Sequence, residues 1–518
     1  MLSRWLLALA IVHVETSFQS CYAAQFLLVS QFYHSHAQAM ATIGDELHQR
    51  GHHVVVVAAS ALQFLNHKPY TVKYYQTSMK EKDMEDCLTI VLKHQDYTMS
   101  PCVKLIQEDL QAFTNDNQLL QELKSQHFAG LICDLGSYAC QLVAEYIDIK
   151  IQVDVTSLGL VDPLVTSLFH IPNPPAYAPQ IGLPLTCKMN LLQRTLNVIV
   201  RYTFMTIFHY LMLGHMYAAA NITNLGLQTP PTFYNRRSSI LIANGDFALD
   251  YPRPVTPATK VVGPILPKPA KALPIHLQEF VSANPNGTIV ISFGSVVTGL
   301  KYITDVQMLF KSLGRLPYNV ICKYSEKHKY SIPKNVMTFN WLPQNDLLGH
   351  PNIKGFVTHC GMNSILEAAY HGVPMVGIPI FGDQIVNAQK ILYRNIGVVL
   401  DINEINSDDL YFGIMNATTD QWILGNASIV SKLIKNRPNG RTPVEEAADW
   451  IEFALNSKGG HYLRSEEYNL PWYQLYLFDI FAILCMMIII TIIILKLIWR
   501  GIVFVFRRPA TFSKAKQS

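Results

Sequence analysis

Strands alternating with helices in both halves of the chain predict an α/β protein: two domains facing each other across a cleft, followed by a transmembrane helix. Three observations carry that expectation. Short apolar runs bounded by turn residues alternate with stretches of helical spacing, a proline-rich crossover separates two such series, and a long apolar run near the C-terminus precedes a basic tail. At 518 residues the chain has room for two ordinary domains and accessory segments. Its composition, 50% hydrophobic and only 15% charged, points to membrane segments. The net charge of +4 does not signal a nucleic-acid partner. Arg500, Arg507, Arg508, Lys514 and Lys516 all lie in a tail without acids, and the rest of the chain is close to neutral.

Residues 1–24 read as a secretory signal peptide. Arg4 precedes an apolar run too short to span a bilayer, and Ala23 and Ala24 offer a cleavage site. Residues 25–31 are a buried-strand run, helical spacing follows through Met40, Ile43 and Leu47 until Arg50 and Gly51, and 53–58 is the next strand. This unit starts a parallel sheet, and the loop before its helix carries His34, Ser35 and His36 at a strand's carboxyl end. Residues 60–120 are polar and irregular by comparison, with charged helical stretches around Lys80 to Asp86. A strand over 131–134 ends in the carboxylate of Asp134, with a helix over 139–146 and a strand over 151–155 after it. Residues 172–184 are proline-rich loop. The apolar helical stretch 191–213, interrupted by Arg194, Arg201 and His209, reads as a buried or membrane-surface helix rather than a second span. A strand over 239–243 ends the first domain, taken as 25–243.

The second domain, taken as 244–470, opens on a crossover that runs from Asp250-Tyr251-Pro252-Arg253-Pro254 to Pro274. The strand 288–293 leads into Gly294 and Ser295, a small-residue turn suited to phosphate or to tight packing. A helix over 305–313 and strands over 319–323 and 337–339 precede Trp341-Leu342-Pro343-Gln344. Residues 356–384 are the most informative stretch. A strand turns at Cys360-Gly361, a helix runs to Gly372 and Pro374, and a strand over 375–378 delivers Asp383 and Gln384 to a loop. Helix N-termini present free N–H groups and partial positive charge, so the turn from His359 to Ser364 is a ready anion site. Ligands of open α/β sheets sit beyond the carboxyl ends of strands. A diphosphate at the helix start and a polyol at Asp383 and Gln384 would fit, which suggests a nucleotide sugar.

Residues 475–499 are long and apolar enough to be a transmembrane helix, with Trp472, Tyr473 and Tyr476 where an aromatic belt is expected. The positive-inside rule puts the basic tail, 500–518, in the cytosol, which makes the chain single-pass type I with its bulk lumenal or extracellular. Lys514 and Lys516, fifth and third from the end, resemble a dilysine retrieval signal and so an endoplasmic-reticulum membrane address; a basic flank set by topology explains the charge equally well. Asn-x-Ser/Thr triplets at Asn221, Asn286, Asn416 and Asn426 agree with a lumenal glycoprotein. The nine cysteines are scattered without C-x-x-C spacing and make no case for a metal site. Cys87 and Cys102 can pair in an oxidising lumen, though the sequence does not decide it.

The stretch 356–384 resembles the signature of UDP-glycosyltransferases, with Thr358-His359-Cys360-Gly361, Asn363-Ser364, Glu367 ahead of Gly372-Val373-Pro374, and Asp383-Gln384 after Gly377-Ile378-Pro379. The flanking Asp250-Tyr251-Pro252-Arg253-Pro254, Ser292-Phe293-Gly294-Ser295 and Trp341-Leu342-Pro343-Gln344 agree, as does the run from Leu463-Arg464 to Trp472-Tyr473-Gln474. The likeness covers essentially the whole chain and is strongest to the animal membrane-bound, UDP-glucuronosyltransferase-like branch. It implies the GT-B arrangement of two Rossmann-like domains, with the acceptor on the N-terminal one and the UDP-sugar on the C-terminal one.

The resemblance also implies roles. His359 contacts the diphosphate, with helix N-terminal donors from Gly361, Asn363 and Ser364. Glu367 takes the ribose hydroxyls, Trp341 stacks on uracil with Gln344 nearby, Asp383 and Gln384 hold the sugar, and Ser295 and Arg253 contact the phosphates. The catalytic histidine falls on His36, with His34 as its local rival, and the aspartate that orients it falls on Asp134. A phenol near pKa ~10 is not deprotonated in its ground state by an imidazole near ~6.5, but a positioned histidine can take the proton as the oxygen attacks. No Asp-x-Asp triplet is present to hold a cation on the diphosphate, so no metal or cofactor is expected beside the UDP-sugar co-substrate. Two residues depart from the pattern: Cys360 stands where glycine is commoner, and Ala37 where many relatives carry a bulky group.

The expected function is inverting, metal-independent transfer of a sugar, glucuronic acid first, to a hydroxyl of a small lipophilic acceptor. Alternatives are a UDP-glucose or UDP-galactose transferase acting on lipid or other acceptors, and a catalytically weak partner that regulates such enzymes as a homo- or hetero-oligomer in the membrane.

Overall fold

The computed structural model describes residues 23–30, 33–80, 83, 86–87, 100–135, 137–207, 222–227, 238–294, 306–324 and 330–506. The signal segment to residue 22, Asn221, Ser295, and the end of the tail with Lys514 and Lys516 lie outside them. The chain forms two compact units, Met1–Arg464 and Ser465–Ser518.

Within the first unit, the described residues form two parallel sheets. The first contains β1 (Gln25–Val29), β2 (His53–Ala59), β3 (Thr71–Tyr75), β4 (Gly130–Asp134), β5 (Gln152–Thr156), β6 (Ser238–Ala243) and β7 (Thr259–Val261), in the order β3-β2-β1-β4-β5-β6-β7. The second contains β8 (Thr288–Ser292), β9 (Asn319–Lys323), β10 (Val336–Phe339), β11 (Ile353–Thr358), β12 (Met375–Gly377) and β13 (Gly397–Val399), in the order β10-β9-β8-β11-β12-β13. Strands such as His-Val-Val-Val-Val-Ala-Ala in β2 and Thr-Ile-Val-Ile-Ser in β8 are apolar along their length because helices cover both faces of the sheet. In each sheet the direction of growth reverses once, between β1 and β4 and between β8 and β11. Those reversals open the crevices where ligands of doubly wound sheets bind.

The helices that matter for the site are α1 (His34–Gln49), α2 (Ser100–Asn115), α3 (Ala139–Tyr146), α4 (Leu191–Ile207), α5 (Gln344–Leu348), α6 (Met362–His371), α7 (Asp383–Tyr393) and α8 (Pro443–Asn456). α6 ends as its sequence requires: Gly372, at φ 74°, takes the left-handed position that closes the helix. α8 starts on a capping box, Thr442 with Glu445, and Pro443 sits in its first turn.

The structure corrects several expectations. His34 and His36 are not in a loop before α1 but in its first turn. The segment 60–120, read as irregular, contains the edge strand β3 and the amphipathic helix α2; the half-exposed alternation of β3 is too short to stand out from polar loop. The domain boundary at 243 does not hold along the chain. β7 pairs with β6 in the first sheet, and α8 returns to that sheet, where Ala447, Ala448, Ile451 and Ala454 pack with Phe26, Leu28 and Ala41. Of the two readings of 191–213, buried or membrane-surface, burial does not hold for α4: Leu192, Ile199 and Tyr202 stand exposed on it while Asn197 is buried. Of the glycosylation triplets, Asn286 and Asn416 are exposed, whereas the amide nitrogen of Asn426 is buried.

The second unit contains α9 (Phe478–Phe506). Its residues Phe478–Phe504 have a mean hydropathy of 3.0, and among the described residues this is the one helix long and apolar enough to cross a membrane. It starts and ends a few residues later than the 475–499 expected.

Arg50 ties α8 to the first sheet. Its guanidinium donates to Glu46 at 2.8 Å, Asp449 at 2.7 Å, Glu452 at 3.0 Å and the Glu445 carbonyl at 2.9 Å. His52 adds a contact to Glu452 at 3.0 Å. Arg50→Met leaves these acceptors short of a half-buried cation, and we expect a loss of about 1–3 kcal/mol. Thermal denaturation of the solubilised full chain reads this as a lowered midpoint; an unchanged midpoint would show that the network contributes nothing.

Candidate active site

A cavity of about 650 Å³ lies between the two sheets, at both reversals. From the first domain it is lined by Tyr33, His34, His36, Leu135, Tyr138, Leu158, Leu164 and Leu168, with Ile106 and Cys102 from α2. From the second domain come Lys268, Gly294, Lys323, Trp341, Gln344, His359, Gly361, Asn363, Ser364, Glu367, Phe381, Asp383 and Gln384. One half is thus apolar and aromatic, the other polar.

His36, on α1 just past β1, meets Asp134 at the end of β4. Its Nδ1 lies 3.1 Å from both carboxylate oxygens. The parallel register of β1 and β4, Val29 opposite Cys133, brings the two together across the reversal. Asp134 is buried and His36 nearly so. Burial pulls the His36 pKa down, but the charge and hydrogen bond of Asp134, with Asp383 beyond, leave it raised above 6.5. His34 is placed differently. Its ring packs on Phe64, with centroids 4.2 Å apart, and on Trp341 at 5.0 Å. Burial and the nearby Lys323 lower its pKa. The carboxylate partner belongs to His36.

The polar half is built on the crevice between β8 and β11. His359 follows β11, and its ring fits only because two neighbours lack side chains. A Cβ on Gly361 would lie 2.4 Å from His359 Nε2, and one on Gly294 would lie 2.7 Å from it. Gly294 also has φ 84°. Burial, with Lys323 close by, lowers the His359 pKa to about 4, so its imidazole is neutral. Its Nδ1 is buried without a hydrogen-bond partner among the described residues. α6 begins immediately afterwards with Gly361 as its N-cap and no side chain capping it, so its first amides remain available. Asn363 Oδ1 accepts from Asn244 of the first domain at 2.8 Å.

Glu367 lies one turn into α6, where Gln344 Nε2 donates to it at 2.6 Å. Burial pushes Glu367 up to about 7, and the Gln344 hydrogen bond counters part of that. Gln344 also donates to Ser364 Oγ at 3.2 Å. Trp341 is 56% exposed, an unusual position for an indole, and Lys323 Nζ sits 4.8 Å from its ring centre. Asp383 opens α7 and accepts from Asn387 at 2.8 Å. Gln384 uses its carbonyl oxygen on the backbone N–H groups of Ile380 and Phe381, at 2.9 and 3.2 Å, so its amide N–H is the end left for a ligand.

One expected site residue is elsewhere. Arg253 does not line the cavity; its guanidinium is buried in an ion pair with Asp162, which braces the crossover. Ser295 lies outside the described residues. Sequence reasoning missed Lys323 and Lys268, which look like ordinary solvated lysines, and the second disulfide, Cys133–Cys140, beside Asp134. The pairing Cys87–Cys102 is formed. Cys360 is buried at φ 67°, a backbone state that suits glycine, with its Sγ where a Cβ on Gly377 would lie 2.6 Å away.

Two parallel-sheet domains closing on a cavity with a His–Asp pair on one wall and a helix N-terminus on the other define a GT-B glycosyltransferase. The fold agrees with solved structures: a calicheamicin glycosyltransferase matches with a TM-score of 0.56 at 15% identity, over 84% of this chain and 99% of that one. The glycosyltransferase of kitacinnamycin matches with a TM-score of 0.56 at 16% identity, over 83% and 99%. Residues 25–515 match the UDP-glucoronosyl and UDP-glucosyl transferase family, and the chain belongs to it. It is 30% identical to mouse 2-hydroxyacylsphingosine 1-beta-galactosyltransferase over 96% of this chain and 91% of that protein. It is 31% identical to mouse UDP-glucuronosyltransferase 1A7 over 90% and 89%. The protein is a UDP-glycosyltransferase.

The fit of His359 between two glycines is testable. Gly361→Ala forces the imidazole or the start of α6 to move, and we expect UDP affinity to fall about tenfold or more while the thermal midpoint changes little. Titration with UDP measures it; wild-type affinity would mean that the His359 position is not part of donor binding.

Proposed function

We propose that this chain transfers glucuronic acid from UDP-glucuronate to a hydroxyl of a small lipophilic acceptor, with inversion at the sugar carbon and without a metal ion. The observation that carries the reading is the His36–Asp134 pair opening onto the same cavity as the donor residues. With Nδ1–H donated to Asp134, Nε2 is the lone-pair end that accepts the acceptor's proton as its oxygen attacks. The bond from the sugar to the β-phosphate oxygen breaks with its electron pair, and UDP leaves from the opposite face. The first amides of α6 and the neutral His359 meet the charge that develops there. Trp341 would stack on the uracil, Glu367 with Gln344 would take the ribose, and Asp383 and Gln384 would take the hexose.

The hexuronate is favoured by the 31% identity to a UDP-glucuronosyltransferase; Lys323 and Lys268 line the cavity on the side of Trp341 and Glu367, where they suit the charge of the nucleotide. The apolar acceptor half, walled by Tyr33, Tyr138 and leucines, favours a lipophilic acceptor. A galactose transfer to a sphingoid acceptor is the second reading, favoured by the 30% identity to galactosyltransferases of that kind. We also propose an endoplasmic-reticulum membrane address, type I, with both sheets lumenal. Two disulfides suit an oxidising compartment, and α9 followed by basic residues suits that topology.

The donor is read by offering membranes that contain the protein UDP-glucuronate, UDP-glucose and UDP-galactose, each with a simple phenol and with a ceramide. Glucuronidation of the phenol is expected; galactosylation of the ceramide alone would replace the leading reading with the second. His36→Ala should lower turnover by about 10²-fold or more while UDP binding persists. Retained turnover would remove His36 as the base.

The pH dependence has a definite sign. His36 must be neutral to act, and its pKa is raised above 6.5, so kcat should fall as pH drops through a value above 6.5. Asp134→Asn removes the main raising charge and leaves burial, which lowers the pKa. The acid limb should then move to lower pH, and kcat should fall as well. A limb that stays in place in this variant would mean that another group sets it.

A further inference from the structure

We propose that the Cys133–Cys140 disulfide is a positioning element for the reaction: it holds Asp134 in register with His36 and fixes the acceptor wall beside it. The inference rests on the reading of His36 and Asp134 as the catalytic pair.

Cys133 is the next-to-last residue of β4, and Cys140 is the second residue of α3. The bridge joins them with Cα atoms 5.8 Å apart across a sequence separation of seven. Both are buried. The short ring they close contains three residues of the site: Asp134, which pairs with His36, and Leu135 and Tyr138, which line the cavity. Inside the ring the Ser137 N–H donates to the Asp134 carbonyl at 2.8 Å.

Strand pairing alone does not fix this turn. β4 registers with β5 only as far as Asp134 opposite Val155, and one more bond follows, from the Leu135 N–H to the Val155 carbonyl at 2.8 Å. α3 then starts on backbone bonds such as the Cys140 N–H to the Ser137 carbonyl at 3.3 Å, without side-chain help: Tyr138 gives no side-chain cap, and the first turn has no acidic residue. The covalent tie supplies what the helix start lacks, a fixed distance between the last strand residue and the first turn of α3. On the other side of the same strand, Val29 of β1 registers with Cys133, and its carbonyl is 3.9 Å from Cys140 Sγ. The bridge therefore sits between the two strands whose ends carry His36 and Asp134. A misplacement of about 1 Å in a catalytic constellation can cost roughly 10²-fold in rate, so a tie one residue from the orienting carboxylate has leverage out of proportion to its size. Neither cysteine touches a substrate; they act through Asp134.

The test uses the full-length protein in membranes and a double-mutant cycle. Cys133→Ala/Cys140→Ala should lower kcat about tenfold or more, shift the acid limb of kcat to lower pH as the Asp134 charge drifts from His36, and leave UDP affinity unchanged. In an Asp134→Ala background, removing the bridge should cost less than about twofold more, because the residue it acts through is gone. Wild-type kcat and pH profile without the bridge would overturn the inference, as would an undiminished further loss in the Asp134→Ala background. If the double variant fails to bind UDP, turnover of a Cys87→Ala/Cys102→Ala variant is measured before and after reduction to completion, so that the change between the two comes from Cys133–Cys140, whose opening is verified by mapping trapped thiols. Loss of rate with UDP binding retained supports the inference; full rate with the bridge open overturns it. Undiminished turnover in Asp134→Ala alone would overturn the catalytic pair itself, and is distinguishable from every other outcome by that variant.

Discussion

A carboxylate at the buried end of a central strand has to be met by a donor, and the contact between Asp134 and His36 is the one on which the first-domain wall of the cavity depends. Removing one partner would leave a charge or a polar ring stranded, a penalty of several kcal/mol. The architecture prevents that with very little machinery. β1 and β4 are neighbours because the first sheet reverses there, so the residues just beyond their carboxyl ends have no choice but to converge. His36 is presented from the first turn of α1, a rigid support, and Asp134 from the last position of β4.

The second sheet repeats the arrangement with different chemistry. The crevice between β8 and β11 holds His359 between Gly294 and Gly361, and its helix supplies amides where the first sheet supplies a carboxylate. The two crevices are coupled. Asn244 and Asn363 join across the domains at 2.8 Å, and the ring of His34 rests on Trp341. α8 returns to the first sheet through Arg50, so the chain clasps both domains instead of running through them in sequence.

Much of this was legible in the sequence, and the reasons are physical. Central strands are apolar along their whole length, and Gly372 marks a helix end by its left-handed backbone, so β1, β2, β4, β8, β9 and α6 could be placed within a residue or three. The edge strand β3 and the short β7 carry too few buried positions to show a period. The return of α8 depends on tertiary contacts that no local pattern encodes. At the site, motif spacing located the polar half, because helix N-termini impose fixed offsets. The ion pair of Arg253 was not legible for a related reason: a cation near a phosphate-binding motif and a cation paired with a distant carboxylate look alike until Asp162 is seen beside it. Cys133 and Cys140 were read as scattered because their partnership depends on where α3 begins.

Two of the histidines that face this cavity, His36 and His359, have opposite electrostatics, and that opposition has a direction. His36 is biased toward its protonated form by Asp134 and Asp383, while His359 is held neutral by burial and by Lys323. The transfer proposed above would move charge along the same line: a proton would arrive on the His36 side as negative charge builds on the departing diphosphate at the His359 side. A cavity with carboxylates behind the base and a cation and helix amides behind the leaving group is polarised for that displacement before any substrate enters, which is the sense in which preorganised charge stabilises a transition state more than a ground state. Pairs of titratable groups whose surroundings push them apart mark the roles in a site. Here they set His36 of the first domain apart from His359 of the second, the same division that the two crevices of the fold impose.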